Sequence, residues 1–308
     1  MKKLKNFAIL FLLNLFLLSN LYAEITPNDV YYLGASINSS LKKTFDLKEE
    51  FNKEVLAETI YPRNVFQKSI DIVNHLIDTD ILKIDKTKFE SLKNVDMTQI
   101  KPENTYNVLL LIKDALSAQF IEYTGEKASK KPADAFHQLR EISFNIGNII
   151  KKKDIKTNYG TPNVVYDLNV NNILPAIYEI AKTEKFEFKP FIFPKNPVPD
   201  IKPKNIFEIT MSLYKNISEY LSIRKGYKPI EFNKIKDLDS INPQDVIDLT
   251  AIIISELQAE GQKAQLDPQL AVQYNEWKKD RKVVPGDTYQ LAQHEFFVSK
   301  SVLKSVKQ

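Results

Sequence analysis

The sequence predicts an all-α protein assembled from repeated helices, and three observations predict it. A proline opens a recurring segment eight times, at Pro27, Pro62, Pro102, Pro132, Pro162, Pro203, Pro243 and Pro285. In its fullest form the segment reads Ile-x-Pro-x-Asp/Asn-Val-Tyr/Phe-x-Leu, and such a repeat dictates architecture before any single residue is interpreted. Apolar residues follow these prolines at helical spacing. The chain also holds only 7 glycines in 308 residues, whereas tight β-turns and phosphate loops both need glycine.

Taken from the start, residues 1–23 read as a secretory signal peptide. Lys2, Lys3 and Lys5 precede an apolar run from Phe7 to Leu18, and the small residue Ala23 marks the expected cut. The run falls short of the ~20 residues a helix needs to cross a bilayer. The expected mature chain begins at Glu24 and works in a bacterial periplasm, with no transmembrane segment. The whole chain has a net charge of +4, and three of those charges are the signal lysines. A near-neutral mature surface argues against nucleic acid as a partner. Lys151-Lys152-Lys153, the one dense basic run, reads as a solvated helix end.

Each proline segment then reads as a helix start. Proline suits the first helical position, where its missing N–H would lack a partner anyway. Thr26 falls at the N-cap of the first copy and Asp29 three residues on, approximating a capping box at the positive end of the helix dipole. Ile25 and Val30 form a hydrophobic staple, repeated as Ile60 with Val65, Ile201 with Ile206 and Ile241 with Val246. Leu33, Ile37 and Leu41 stand six, ten and fourteen residues after their proline, as do Ile209, Leu213 and Ile217, and Leu249, Ile253 and Leu257. These form the core-facing stripe of an amphipathic helix. Gly125, Gly226 and Gly261 read as C-terminal stops.

The copies group as four plus four. Thr26-Pro27-Asn28-Asp29-Val30-Tyr31-Tyr32-Leu33 resembles Thr161-Pro162-Asn163-Val164-Val165-Tyr166-Asp167-Leu168. Pro62-Arg63-Asn64-Val65-Phe66 resembles Pro203-Lys204-Asn205-Ile206-Phe207. Two tandem homologous four-helix-bundle-like domains are therefore expected, 24–158 and 159–308, with a continuous α-solenoid as the alternative. The connector 186–203 carries Pro190, Pro194, Pro197 and Pro199 among Phe188, Phe191 and Phe193. It cannot be helical and reads either as a strap docked in a groove or as a proline-rich peptide offered to a partner. Its counterpart, Thr44 to Ile60, reads helical.

Chemistry is harder to find. The absence of cysteine rules out disulfides, thiolate metal sites, cysteine nucleophiles and thioether-linked haem. No phosphate loop, dinucleotide fingerprint, nucleophile elbow or HExxH motif occurs. His75, His137 and His294 stand at different offsets in their repeats, so no shared metal site is expected. The acids or amides at the capping position (Asp29, Asn64, Asn104, Asp134, Asn205, Asp245, Asp287) are mixed Asp and Asn, which suits a cap better than a base. No catalytic residue, cofactor or metal is assigned. The residues left over are the motif aromatics Tyr31, Phe66, Tyr106, Phe136, Tyr166, Phe207 and Tyr289, together with Trp277. They read as packing wedges or, alternatively, as a ligand or partner surface, with Trp277 on a sealing helix or a binding patch. The function expected is an exported, non-catalytic protein that binds a protein partner or scaffolds an envelope complex. The alternatives are a small-ligand binding or sensing accessory with one aromatic-lined pocket per bundle, and an envelope enzyme, for instance hydrolytic, working through unrecognised acids.

Overall fold

The computed structural model describes residues 24–308 except Lys127, Tyr159, Lys236, Lys263 and Asp280. The signal-peptide expectation lies outside the described residues. Among the described residues the protein is all-helical, with ten helices and no strand. All eight repeat prolines open a helix: α1 (Pro27–Thr44), α2 (Pro62–Thr79), α4 (Pro102–Leu116), α5 (Pro132–Lys153), α6 (starting as Pro162–Leu168), α7 (Pro203–Lys225), α8 (Pro243–Ala259) and α10 (Pro285–Val306). Two accessory helices, α3 (Lys86–Lys93) and α9 (Pro268–Lys278), sit in the longer connectors.

The starts follow one chemistry. In seven of them the side chain three residues into the helix accepts the N–H of the residue before the proline, as Asp29 does from Thr26 at 2.8 Å and Asn104 from Lys101 at 2.8 Å. The same bond is made by Asn64, Asp134, Asn205, Asp245 and Asp287. The α6 start lacks it because Val164 stands at that position. The stripe is buried as its spacing requires: Ile37, Ile72, Ile112, Ile142, Leu213 and Ile253, each ten residues after its proline, have no exposed surface.

In α6 the stripe slips by one residue. Pro175 supplies no amide hydrogen and its ring crowds the carbonyl four residues earlier, and the helix passes through a π turn, Asn169–Ile173, before resuming at Leu174–Thr183. Ile173 and Ile177 thereby take the buried places.

The first four motif helices run parallel. Pro27, Pro62, Pro102 and Pro132 meet around one dimple of about 10 Å³. The second four show the same sense: Asn216 of α7 bonds the Phe296 carbonyl of α10 and Lys307 pairs with Glu219, while Thr288 at the start of α10 donates to the Pro162 carbonyl of α6 and Lys204 at the start of α7 pairs with Asp239 just ahead of α8. Neighbours are also the same. The pairs α1–α4, α1–α5, α2–α4 and α2–α5 correspond to α6–α8, α6–α10, α7–α8 and α7–α10.

Parallel helices need connectors that travel back the length of the bundle. An 18-residue helix is ~27 Å long, which about eight extended residues can span. Residues 120–131 do this along α1: Ile121 N–H donates to Ser40 Oγ, Tyr123 N–H to Ser36 Oγ, and Lys130 N–H to Asn28 Oδ1. This return corrects the expectation for Gly125, because α4 stops at Leu116 and Gly125 lies in the extended stretch. Gly226, with φ 67°, does close α7, and Gly261, with φ 74°, follows α8. The stretch from Thr44 to Ile60, expected to be helical, is not helical beyond Thr44, the last residue of α1. The backbone of that stretch is claimed by tertiary partners, since Asn233 N–H donates to the Leu56 carbonyl and Arg140 to that of Glu54.

The 186–203 connector is a docked strap. Phe191 N–H donates to Tyr178 Oη at 2.6 Å, Trp277 Nε1 to the Pro194 carbonyl at 2.8 Å, and Arg281 to the Lys195 carbonyl at 2.8 Å. Val198 then lies directly against Gly286 in the first turn of α10. One hydrophobic core runs continuously from α1 to α10, and a second, aromatic cluster fills the space under the strap.

Candidate functional site

The two sets of four helices meet where α2 and α5 face the start of α8, and charge is concentrated there. Lys68 of α2 is buried and reaches Asp248 at 2.7 Å and Asp71 at 3.3 Å. Arg140 of α5 bonds Asp248 through Nε at 3.2 Å and Asp245 through Nη2 at 2.9 Å. Lys53, from the connector ahead of α2, reaches Asp245 at 3.0 Å. Three cations thus face three carboxylates. Every oxygen of the two α8 acids is engaged, because Gln244 also donates to Asp248 and Asn242 N–H to Asp245. A second pair lies further along the α2–α8 contact, where Arg63 grips Glu256 through two 2.6 Å bonds, joined by Asn64 and Tyr227.

A cleft of about 280 Å³ opens beside the first network. Arg140, Ser143, Phe144, Gly147 and Asn148 of α5 form one wall, Phe51 and Lys53 another, and the first turn of α8 a third. Ser143 Oγ and Asn148 Nδ2 are buried there without a hydrogen-bond partner. His75 lines the cleft too, and burial together with nearby Lys68 lowers its pKa to about 2, so it is neutral. A neighbouring cleft of about 240 Å³ shares Lys53, Arg140 and Asp245 as its dividing wall.

The aromatic residues singled out in the sequence lie elsewhere. Phe66, Phe136, Tyr166 and Phe207 are buried, while Tyr31, Tyr106 and Tyr289 are half-buried. They form no continuous exposed row. Tyr106 lines a polar cleft of about 260 Å³ with Thr26, Asp29 and Tyr123. Tyr166 and Trp277 are brought together, stacked at 5.0 Å beneath the strap with Tyr274 and Phe193.

That aromatic region surrounds an isolated acid. Glu295 on α10 has no exposed surface and neither carboxylate oxygen has a partner. Burial therefore raises its pKa well above the usual carboxylate range. Tyr166 Oη and Asn169 Oδ1 are likewise buried without partners. Nearby, His294 Nε2 lies 2.8 Å from Tyr178 Oη, and burial lowers its pKa to about 4. Phe191 N–H donates to the same hydroxyl, so Tyr178 Oη joins the strap to neutral His294.

Sequence reasoning missed both acidic centres. Capping explained Asp245 and Asp287 sufficiently, yet each also binds an arginine, Asp245 with Arg140 and Asp287 with Arg281 at 2.5 Å. Glu295 did carry a signal, because it stands ten residues after Pro285, where the other straight helices have isoleucine or leucine. The partners Lys53, Arg140 and Lys68 come from different copies of the repeat, and no spacing links them. Neither a family model, nor a curated protein, nor a solved structure matches this chain.

Proposed function

We propose that this chain is an exported, non-catalytic binding protein whose ligand is a small polar molecule held in the junction cleft. The observation that carries this reading is the pair of buried, unpartnered polar groups on the cleft wall, Ser143 Oγ and Asn148 Nδ2. Leaving such groups unpaired costs roughly 1–3 kcal/mol each, a cost that a hydrogen-bonding ligand removes. Clefts between packed units are common ligand sites, and about 280 Å³ suits a metabolite better than a larger ligand. The absence of catalysis fits the occupied oxygens of Asp245 and Asp248, which leave no lone carboxylate as base.

The two halves, 24–158 and 159–308, are on this reading duplicated copies of one four-helix unit. The shared neighbour pattern and shared parallel sense support the duplication, and the cleft arises at the seam between copies. Binding of a protein partner keeps one support in the exposed apolar residues Ile192, Val272 and Phe297. Scattered singly, such residues are ordinary.

Native mass spectrometry of the chain recovered from its own cell envelope tests the proposal. A bound small molecule is expected, on a polypeptide beginning at Glu24. Gly147→Leu should expel it, since a side chain there projects into open space within the cleft. A bare polypeptide mass from both proteins would sink the reading.

A further inference from the structure

The junction cleft has a chemical preference, and the following rests on its being the ligand site. Its unused hydrogen-bonding capacity is mostly donor. Arg140 uses three of its five N–H groups, on Asp248, Asp245 and the Glu54 carbonyl. Lys53 uses two of three, on the Ser240 carbonyl and Asp245. Asn148 Nδ2 is unpartnered. The α8 acids, by contrast, have no unengaged oxygen.

Exposure is equally one-sided. The Lys53 side chain is 22% exposed, while those of Asp245, Asp248 and Arg140 are at most 5% exposed. A molecule entering the cleft therefore meets an ammonium group and not the carboxylates behind it. The start of α8 lines the same cleft, and the positive end of its dipole adds to the preference for negative charge. Phe51, beside Lys53, and Phe144 of α5 lie with ring centroids 5.6 Å apart and supply an apolar face.

We propose that the junction cleft binds a small monocarboxylate with a flat apolar body, its carboxylate taken by Lys53 and the cleft's free N–H donors and its body set against Phe51 and Phe144. A primary amine would face a like charge at Lys53. An uncharged amide would forgo the charge-assisted bond.

Benzoate, benzamide and benzylamine titrated into the mature chain, followed by calorimetry and thermal unfolding, test this. Benzoate is expected to bind saturably and raise the unfolding temperature, with the other two weaker by about tenfold or more. Lys53→Gln should remove most of that difference, and Gly147→Leu should block benzoate without altering any charge. Benzamide or benzylamine binding as tightly as benzoate overturns the carboxylate preference, as does failure of all three to bind. In either case, a native ligand expelled by Gly147→Leu would leave the junction cleft standing as the site. Benzoate binding undiminished in Gly147→Leu would place the probe elsewhere and overturn both.

Discussion

The junction cleft and the strap-covered interior around Glu295 both bury acids, and they treat them oppositely. At the junction each carboxylate meets a cation within about 3 Å, and the region stays open enough to hold a cleft. Under the strap Glu295 meets aromatic rings and no cation, and the region is closed by stacked side chains. Burial alone does not decide a carboxylate's state. Desolvation penalises the charged form, and only a partner positioned by another helix offsets it. The junction acids tie helices together through ion pairs, whereas burial without a cation raises the Glu295 pKa well above the usual carboxylate range.

The largest break of this contrast is Arg140→Met. It leaves Lys53 as the one cation on Asp245 and Lys68 as the one cation on Asp248, and both carboxylates are at most 5% exposed. Removing one partner from a buried network typically costs 3–5 kcal/mol. A loss of about that size is expected in urea unfolding at neutral pH. A loss below ~1 kcal/mol would mean that the network contributes little to holding α5 against α8.

Glu295→Leu should do the reverse. Replacing an unpaired buried acid with an apolar residue of similar size is expected to stabilise the fold by roughly 1–4 kcal/mol at pH 7. The sign of the pH dependence follows from the raised folded pKa. The unfolded chain ionises near the usual value of 4.5, and the folded chain holds its proton to higher pH. Stability contributed by the protonated form is therefore complete below pH 4.5 and is lost as pH rises towards the folded pKa, by about 1.4 kcal/mol per pH unit. Glu295→Leu should flatten that slope. His294 and His75 act on the acid side, where lowered folded pKa values remove stability as pH falls below 6.5.

The closure of the second region can be broken without touching a charge. A Cβ on Gly286 would stand 2.0 Å from the Val198 carbonyl oxygen and 2.8 Å from its nitrogen. Both are backbone atoms, so Gly286→Ala must displace the strap, at a cost of roughly 1–3 kcal/mol. Trp277 is the only tryptophan and its indole N–H donates to the strap at Pro194. Its emission should shift to the red in Gly286→Ala, and an unchanged spectrum would show that the strap can yield locally.

The two regions also differ in how far the sequence discloses them. Helix starts are written locally, so the proline segments give the eight motif starts correctly from residues within six positions, while the start of α3 at Lys86 carries no such mark. The strap is legible for the same reason, because four prolines among phenylalanines admit no helix. The parallel sense of the helices is not local. It depends on connectors such as 120–131 lying back along α1 through Ser36 and Ser40, two serines with no mark in the sequence. The helical expectation for Thr44 to Ile60 fails similarly, since Arg140 and Asn233 claim carbonyls of that stretch from distant positions. Glu295 is the intermediate case. Its place on the apolar stripe is a local anomaly visible before folding, but its lack of a cation becomes visible only when α6 and α7 pack against α10.

The smallest expected effect concerns Gly147, in the fifth turn of α5. Glycine within a helix costs roughly 0.5–1 kcal/mol relative to alanine because it loses more backbone freedom on folding. The cost normally reflects a need for close approach, as at Gly286. Nothing lies within 4 Å of where a Cβ on Gly147 would stand, and its φ is not in the left-handed region. Packing therefore gives no reason for the residue, but the cleft does, since Gly147 is on its wall. Gly147→Ala should stabilise the empty protein by about 0.5–1 kcal/mol in urea unfolding, while reducing affinity for whatever the cleft holds. A destabilised Gly147→Ala would mean that the glycine serves the helix and not the cleft, and the contrast between an open junction and a closed interior would lose its clearest mark.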